Sequence, residues 1–145
     1  MRKRKSYNGI IKLTIYPFDV MLSVNQTDKQ FVKSLGKYKM PNFEDDILHL
    51  ESLGDNRQGR TILLDKSVFI VRLNYWPENE KGTALLVHEL FHVTSMLLDH
   101  IGMELSIGTS CEAYAYLLQY LTQYVLENLC ILDQPIITGN PPQPT

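Results

Sequence analysis

Three residues in the apolar stretch TALLVHELFH have the types and spacing to do chemistry: His88, Glu89 and His92. On a helix, residues four apart lie on one face with Cβ atoms roughly 6 Å apart, so the two histidines can offer ring nitrogens to one ion. Glu89 points about 100° away and can reach a water molecule on that ion. The pattern predicts a zinc site with two histidine ligands, a general base and a third protein ligand from elsewhere.

Glu112 is the expected third ligand. It opens a second long helix that must pack antiparallel to the first, where a carboxylate can turn onto the ion. The alternative is structural, because an acid in the first turn, after Ser110 as N-cap, also stabilises the positive end of a helix. Tyr116 lies one turn beyond Glu112 on the same polar stripe, which predicts a cleft wall.

His-Glu-x-x-His is short enough to occur by chance, although a charged Glu89 in so apolar a stretch would be costly without a partner such as the ion's water.

The other candidates fit a metal site less well. His49 stands alone in an ambiguous segment and is typical of a surface or hydrogen-bonded histidine. His100 lies roughly 12 Å along the helix from His92, too far to share an ion. Cys111 is expected to be a small buried hydrophobe rather than a nucleophile.

Apolar periodicity predicts the elements that position these residues. They are a strand region, Ile10–Tyr16 and Phe18–Val24, bent or broken near Pro17; a short helix from Thr27 or Asp28 to Leu35, stopped by Gly36; a hairpin, Arg60–Leu64 and Val68–Tyr75; and two long helices, from Asn79 or Thr83 to Ile101 and from Cys111 to Leu129. Gly102 is expected to end the first long helix in a left-handed cap. The fold class is therefore α+β, with a small N-terminal β-sheet followed by two long packed helices.

Composition limits the class of protein. With 145 residues and a formal net charge of −2, the chain fits a single domain, assigned to 1–132, and nucleic acid is not expected as its main partner. No apolar run approaches the roughly 20 residues of a membrane span and no signal peptide is evident, so a cytoplasmic location is expected. Cys111 and Cys130 lie roughly 28 Å apart along one helix and cannot pair. The Pro-rich tail, 133–145, is expected to be disordered.

The motif from His88 to about Tyr116 resembles the zincin metallopeptidases, in particular the gluzincins, whose third ligand is a downstream glutamate; that position is Glu112. The segment GTSCEAY is similar to the Gly-Thr-x-x-Asp segment of aspzincins, with Glu in place of Asp. The wider pattern looks like the small zincin-like proteins of tailed bacteriophages and prophages, in the segments YPFDVMLSV, GRTILL, VFIVRLNYWP, GTALLVHELFHV and EAYAYLLQYL. This resemblance implies a minimal zincin-like fold and, for a phage protein, the host cytoplasm.

The expected function is that of a zinc-dependent peptidase or peptidase-like hydrolase acting on a peptide or protein. Zinc would activate a water, and Glu89 would carry its proton to the leaving amine. A tyrosine or histidine often stabilises the oxyanion in enzymes of this kind, and Tyr116 is the candidate here. The strand Val68–Tyr75 is the candidate edge for an extended peptide. The rival interpretation is a phage-encoded, zincin-shaped binding or regulatory module that holds zinc without turnover. An intact Glu89 favours the enzyme, whereas the lack of a recognisable specificity pocket favours the module.

Overall fold

The computed structural model describes residues 6–13, 16–37, 58–64 and 67–133. Within these ranges the elements follow one another as β1 (Tyr7–Lys12), β2 (Asp19–Val24), α1 (Asp28–Lys37), β3 (Gly59–Leu64), β4 (Val68–Leu73), α2 (Glu80–His100) and α3 (Cys111–Asp133). The strands form one sheet, and the two long helices come after it in the chain. The predicted α+β class is confirmed. None of the helices in these ranges is long and apolar enough to cross a membrane.

The order of the strands across the sheet is β1-β2-β4-β3. β1 runs antiparallel to β2, β2 parallel to β4, and β4 antiparallel to β3. Val71 on β4 therefore has Leu22 on one side and Thr61 on the other. Because β4 is paired along both edges, the prediction that Val68–Tyr75 offers an edge to a peptide is wrong. Among the described strands, β1 and β3 lie at the two edges of the sheet.

The strand region predicted from Ile10 to Val24 is two strands that reverse direction, with Pro17 in their connection. β1 also begins earlier than expected, because Tyr7 pairs with Val24 and Gly9 with Leu22. Residues such as Gly9 have low strand propensity, and here the ladder to a neighbouring strand overrides that preference. The hairpin of β3 and β4 agrees with the sequence pattern.

Both faces of the sheet are covered, because alternate residues of β2 and β4 point to opposite sides. One face packs against α2 and α3 through a buried cluster that includes Val20, Leu22, Val24, Phe69, Val71, Leu73, Leu86, Leu90, Leu97 and Leu121. The other face packs against α1 through Met21, Phe31, Leu35, Leu64 and Ile70. The sheet therefore separates α1 from the two long helices, and α2 lies directly against it.

Arg72 on β4 is buried at 2% exposure on the α1 side. Its Nη1 donates to Asp28 Oδ1 at 2.9 Å, and its guanidinium carbon lies 4.3 Å from the centre of the Phe31 ring. A buried cation needs such an opposite charge, and the ring face adds a cation–π contact. Arg72 therefore joins the sheet to the first turn of α1.

Side chains next to the helix ends hold the starts of α1 and α2. Gln30 N donates to Thr27 Oγ1 at 3.2 Å, and Thr27 N donates to Gln30 Oε1 at 2.9 Å, which is a reciprocal capping box. Asn79 Oδ1 accepts from Gly82 N at 2.9 Å. Gly102, with φ +82°, follows α2 in the left-handed conformation that was predicted. α1 does not stop at Gly36 but continues to Lys37.

α3 begins directly after Ser110, the expected N-cap, but the hydroxyl of this serine forms hydrogen bonds with the loop that precedes the helix. It accepts from Ser106 N at 2.8 Å and donates to Glu104 O. Cys111 is exposed, so the expectation of a buried small hydrophobe was wrong for this residue. Cys111 and Cys130 both lie on α3. The argument that they cannot form a disulfide assumed that they share one helix. The helix includes Asp133, and the rest of the expected tail lies outside the described residues.

Candidate functional site

His88 and His92 lie one turn apart on the face of α2 that points away from the core, and both are exposed. Their Nε2 atoms are 3.2 Å apart. The two rings meet edge to face, with centroids 4.9 Å apart and an angle of 78° between their planes. The apolar face of α2 buries Leu86, Leu90, Val93 and Leu97, and this burial fixes the opposite face towards solvent. The packing of the helix thus presents two imidazoles side by side.

The separation of the two nitrogens fits a shared metal ion. Two histidine nitrogens at about 2.0 to 2.1 Å from one tetrahedral zinc lie about 3.3 to 3.4 Å from each other. The observed Nε2–Nε2 distance of 3.2 Å is close to this range, and a small rotation of either ring would bring the two nitrogens into it. The same separation also suits an N–H···N hydrogen bond when no ion is bound, with one ring donating to the other. The donor set therefore fits zinc as two of its ligands.

Glu89 lies on the sheet side of the pair and is buried at 4% exposure. Thr61 on β3 donates its hydroxyl to Glu89 Oε2 at 2.6 Å and lies 3.1 Å from the main-chain oxygen of the same residue. A buried carboxylate without a partner would be costly, and the sequence suggested the ion's water for that role. Thr61 is the partner in the structure, and sequence reasoning missed it.

Gly59, the first residue of β3, lies against the other carboxylate oxygen. A Cβ at this position would come within 2.8 Å of Glu89 Oε1, 3.0 Å of Glu89 Cγ and 3.0 Å of Leu85 Cδ1. With glycine at this position the strand comes this close without displacing the side chains of Glu89 and Leu85. A glycine directly before the predicted strand Arg60–Leu64 was the available signal for such an approach.

A groove of about 560 Å³ runs beside the buried carboxylate, between the start of β3 and the first turns of α2. Its lining residues are Gln58, Gly59, Lys81, Ala84, Leu85, His88 and Glu89. At its rim, Lys81 Nζ lies 5.7 Å from the centre of the Tyr75 ring, and the Tyr75 hydroxyl donates to Gln58 Oε1 at 2.9 Å. The pattern of the sequence contained no signal for this groove, because its two walls are far apart in the chain.

The remaining predicted site residues, Glu112 and Tyr116, lie on α3 and not on α2 with the histidine pair. Glu112 lies exposed in the first turn of α3, and Tyr116 is 67% exposed one turn later. In the described part of the chain, no three His, Cys, Asp or Glu side chains are grouped so that they could hold a metal ion. The assignment of Glu112 as third ligand and of Tyr116 to the oxyanion stays a prediction.

The two histidines considered and set aside have different outcomes. His100 is exposed at the end of α2, with its ring centroid 5.4 Å from that of Phe18 in an edge-to-face contact. This agrees with its interpretation as a helix-end histidine. His49 lies outside the described residues.

Comparison of this chain with protein-family models, with curated proteins and with solved structures found no match. The resemblance to zincins and to small phage proteins therefore stays a prediction based on the motif. What supports a function is the geometry of the two histidines, the buried carboxylate and the groove.

Proposed function

We propose that this chain is a zinc-dependent peptidase or peptidase-like hydrolase. In this proposal His88, His92 and Glu112 hold the ion, and Glu89 is the general base. The supporting observation is the pair of Nε2 atoms at 3.2 Å beside a buried carboxylate that lines an open groove. A zinc site that serves stability alone would have no need of a carboxylate at this position.

Zinc, when bound, polarises a carbonyl and lowers the pKa of water towards about 7. The chain's own residues supply the rest of the chemistry. Thr61 holds Glu89 at Oε2, which leaves Oε1 to take a proton from the attacking water and pass it to the leaving amine. Tyr116 is proposed to donate its hydroxyl to the developing oxyanion, which its exposed position leaves accessible to a substrate.

An extended peptide is the proposed substrate, lying along β3. This strand is the edge of the described sheet next to Glu89, and backbone groups at a sheet edge can pair with an added strand. The groove would then receive one substrate side chain against Ala84 and Leu85, with Lys81 as the cation in its lining.

The decisive experiment combines metal content with turnover of a library of internally quenched octapeptides. We expect about one zinc per chain and cleavage by the wild type. Glu89→Gln should keep the zinc and lose roughly 100-fold or more in rate, because the amide retains the shape but cannot accept the proton. Glu127→Gln, which changes an exposed carboxylate on α3 that accepts from Gln123, is the matched control and should change neither quantity.

Each alternative outcome has a defined meaning. Unchanged turnover by Glu89→Gln, or zinc loss as great as that of His88→Ala, would refute the role given to Glu89. Full zinc content with no cleavage by the wild type would favour the rival, a zincin-shaped binding or regulatory module. A wild type that retains no zinc at all would exclude both.

A further inference from the structure

The geometry points to Thr61 as the positioning residue of the site, a role that rests on the proposed function of Glu89. Its hydroxyl donates to Oε2 and so holds the Glu89 carboxylate in one orientation while Oε1 takes the proton of the water and releases it to the leaving group. Thr61 lies on β3, outside the motif formed by His88, Glu89 and His92 on α2.

The hydroxyl of Thr61 contacts two oxygens of Glu89, one in the carboxylate and one in the main chain. Its Oγ1 is 2.6 Å from Glu89 Oε2 and 3.1 Å from the main-chain oxygen of Glu89. The shorter distance falls in the range of about 2.5 to 2.7 Å typical of a hydroxyl that donates to an ionised carboxylate. While Glu89 is ionised, the single hydroxyl hydrogen of Thr61 therefore belongs to Oε2.

Once Oε1 of Glu89 has taken a proton, the contact between Thr61 and Oε2 persists in the same direction. Oε2 is then the carbonyl oxygen of the carboxyl group, and it still accepts the hydrogen of the Thr61 hydroxyl. A valine would not offer this hydrogen bond, whereas a serine would.

The second constraint on the carboxylate comes from the start of β3. Oε1 lies so close to Gly59 that an added Cβ would be 2.8 Å away, and Leu85 Cδ1 adjoins the same position. With Oε2 bound to Thr61 and Oε1 confined by Gly59, a 4% exposed carboxylate has little freedom to rotate. The strand that would bind the peptide thus also orients the base.

The coupling between Thr61 and Glu89 can be measured without turnover, by thermal melts of the metal-free protein. Thr61→Val should lower Tm by roughly 4 to 8 °C, because a buried carboxylate loses its hydrogen bond. In a Glu89→Leu background the same substitution should shift Tm by less than about 2 °C. Thr122→Val, which removes a hydroxyl that donates to Leu118 O at 2.7 Å, should lower Tm equally in both backgrounds. Equal losses for Thr61→Val in the two backgrounds would overturn the proposal.

Turnover then separates positioning from simple stability, with the octapeptide of the library that the zinc-loaded wild type cleaves fastest. Thr61→Val should lower kcat by about 10- to 100-fold at unchanged zinc content and with KM within about 2-fold. Thr61→Ser should restore kcat to within about 3-fold of the wild type, since the hydroxyl returns.

Unchanged kcat in Thr61→Val, or equal losses in the valine and serine variants, would refute the positioning role. If the wild type cleaves no peptide of the library, the proposed function of the site fails. The melts still decide, independently of turnover, whether Thr61 holds the carboxylate.

Discussion

Replacing Gly59 by alanine tests how closely β3 and α2 must approach at the site. The added methyl group would lie 2.8 Å from Glu89 Oε1, 3.0 Å from Glu89 Cγ and 3.0 Å from Leu85 Cδ1. Side-chain tips can usually move out of such contacts at little cost. Here Glu89 is buried and bound to Thr61, so it can move only by breaking that hydrogen bond or by pushing the strand away from the helix.

The expected change in the free energy of unfolding of Gly59→Ala is the difference between two opposing effects. Overpacking a buried site destabilises the folded state by about 1 to 3 kcal/mol. Replacing glycine also reduces the conformational freedom of the unfolded chain, and this stabilises the folded state by about 0.4 to 1 kcal/mol. The net loss in the free energy of unfolding therefore lies between about 0 and 2.6 kcal/mol, and its middle value of about 1.3 kcal/mol lowers Tm by roughly 4 °C for a chain of this length.

Thermal melts of Gly59→Ala and of Gly108→Ala make the comparison. Gly108 is exposed, and a Cβ built there would meet nothing within 4 Å, so its substitution should leave Tm within about 2 °C of the wild type. On the proposed function, Gly59→Ala should also lower kcat, because the base is displaced. A Gly59→Ala protein that melts at or above the wild-type temperature with full kcat would refute the close approach of β3 to Glu89.

Three further predictions concern the helices. Asn79→Ala should lower the free energy of unfolding by about 1 kcal/mol in a denaturant titration, because Gly82 N loses its cap; no change in the midpoint would show that the cap contributes nothing. Leu90→Ala should cost about 2 to 5 kcal/mol because the side chain is fully buried, whereas Phe91→Ala, at 41% exposure, should cost clearly less; equal losses would contradict the orientation of α2. Glu112→Ala should reduce zinc content measured by elemental analysis, and retention of one zinc per chain would mean that another group is the third ligand.

The sequence alone predicted the elements whose hydrogen bonds are local. The α2 helix, its start near Asn79 and the left-handed Gly102 all depend on contacts within a few residues. The same is true of the proximity of His88 and His92, which helical spacing dictates. The β3–β4 hairpin was also predictable, because its strands are joined by a short connection.

The tertiary structure alone decided which strands lie at the centre of the sheet and which side chains meet across it. Every strand offers similar backbone donors and acceptors, so local pattern could not show that β4 lies between β2 and β3. Glu89 and Thr61 are 28 residues apart, and Arg72 and Asp28 are 44 apart, so these contacts exist only once the sheet and helices have packed. The histidine pair was therefore readable from the chain, whereas the partner of its base was decided by long-range packing.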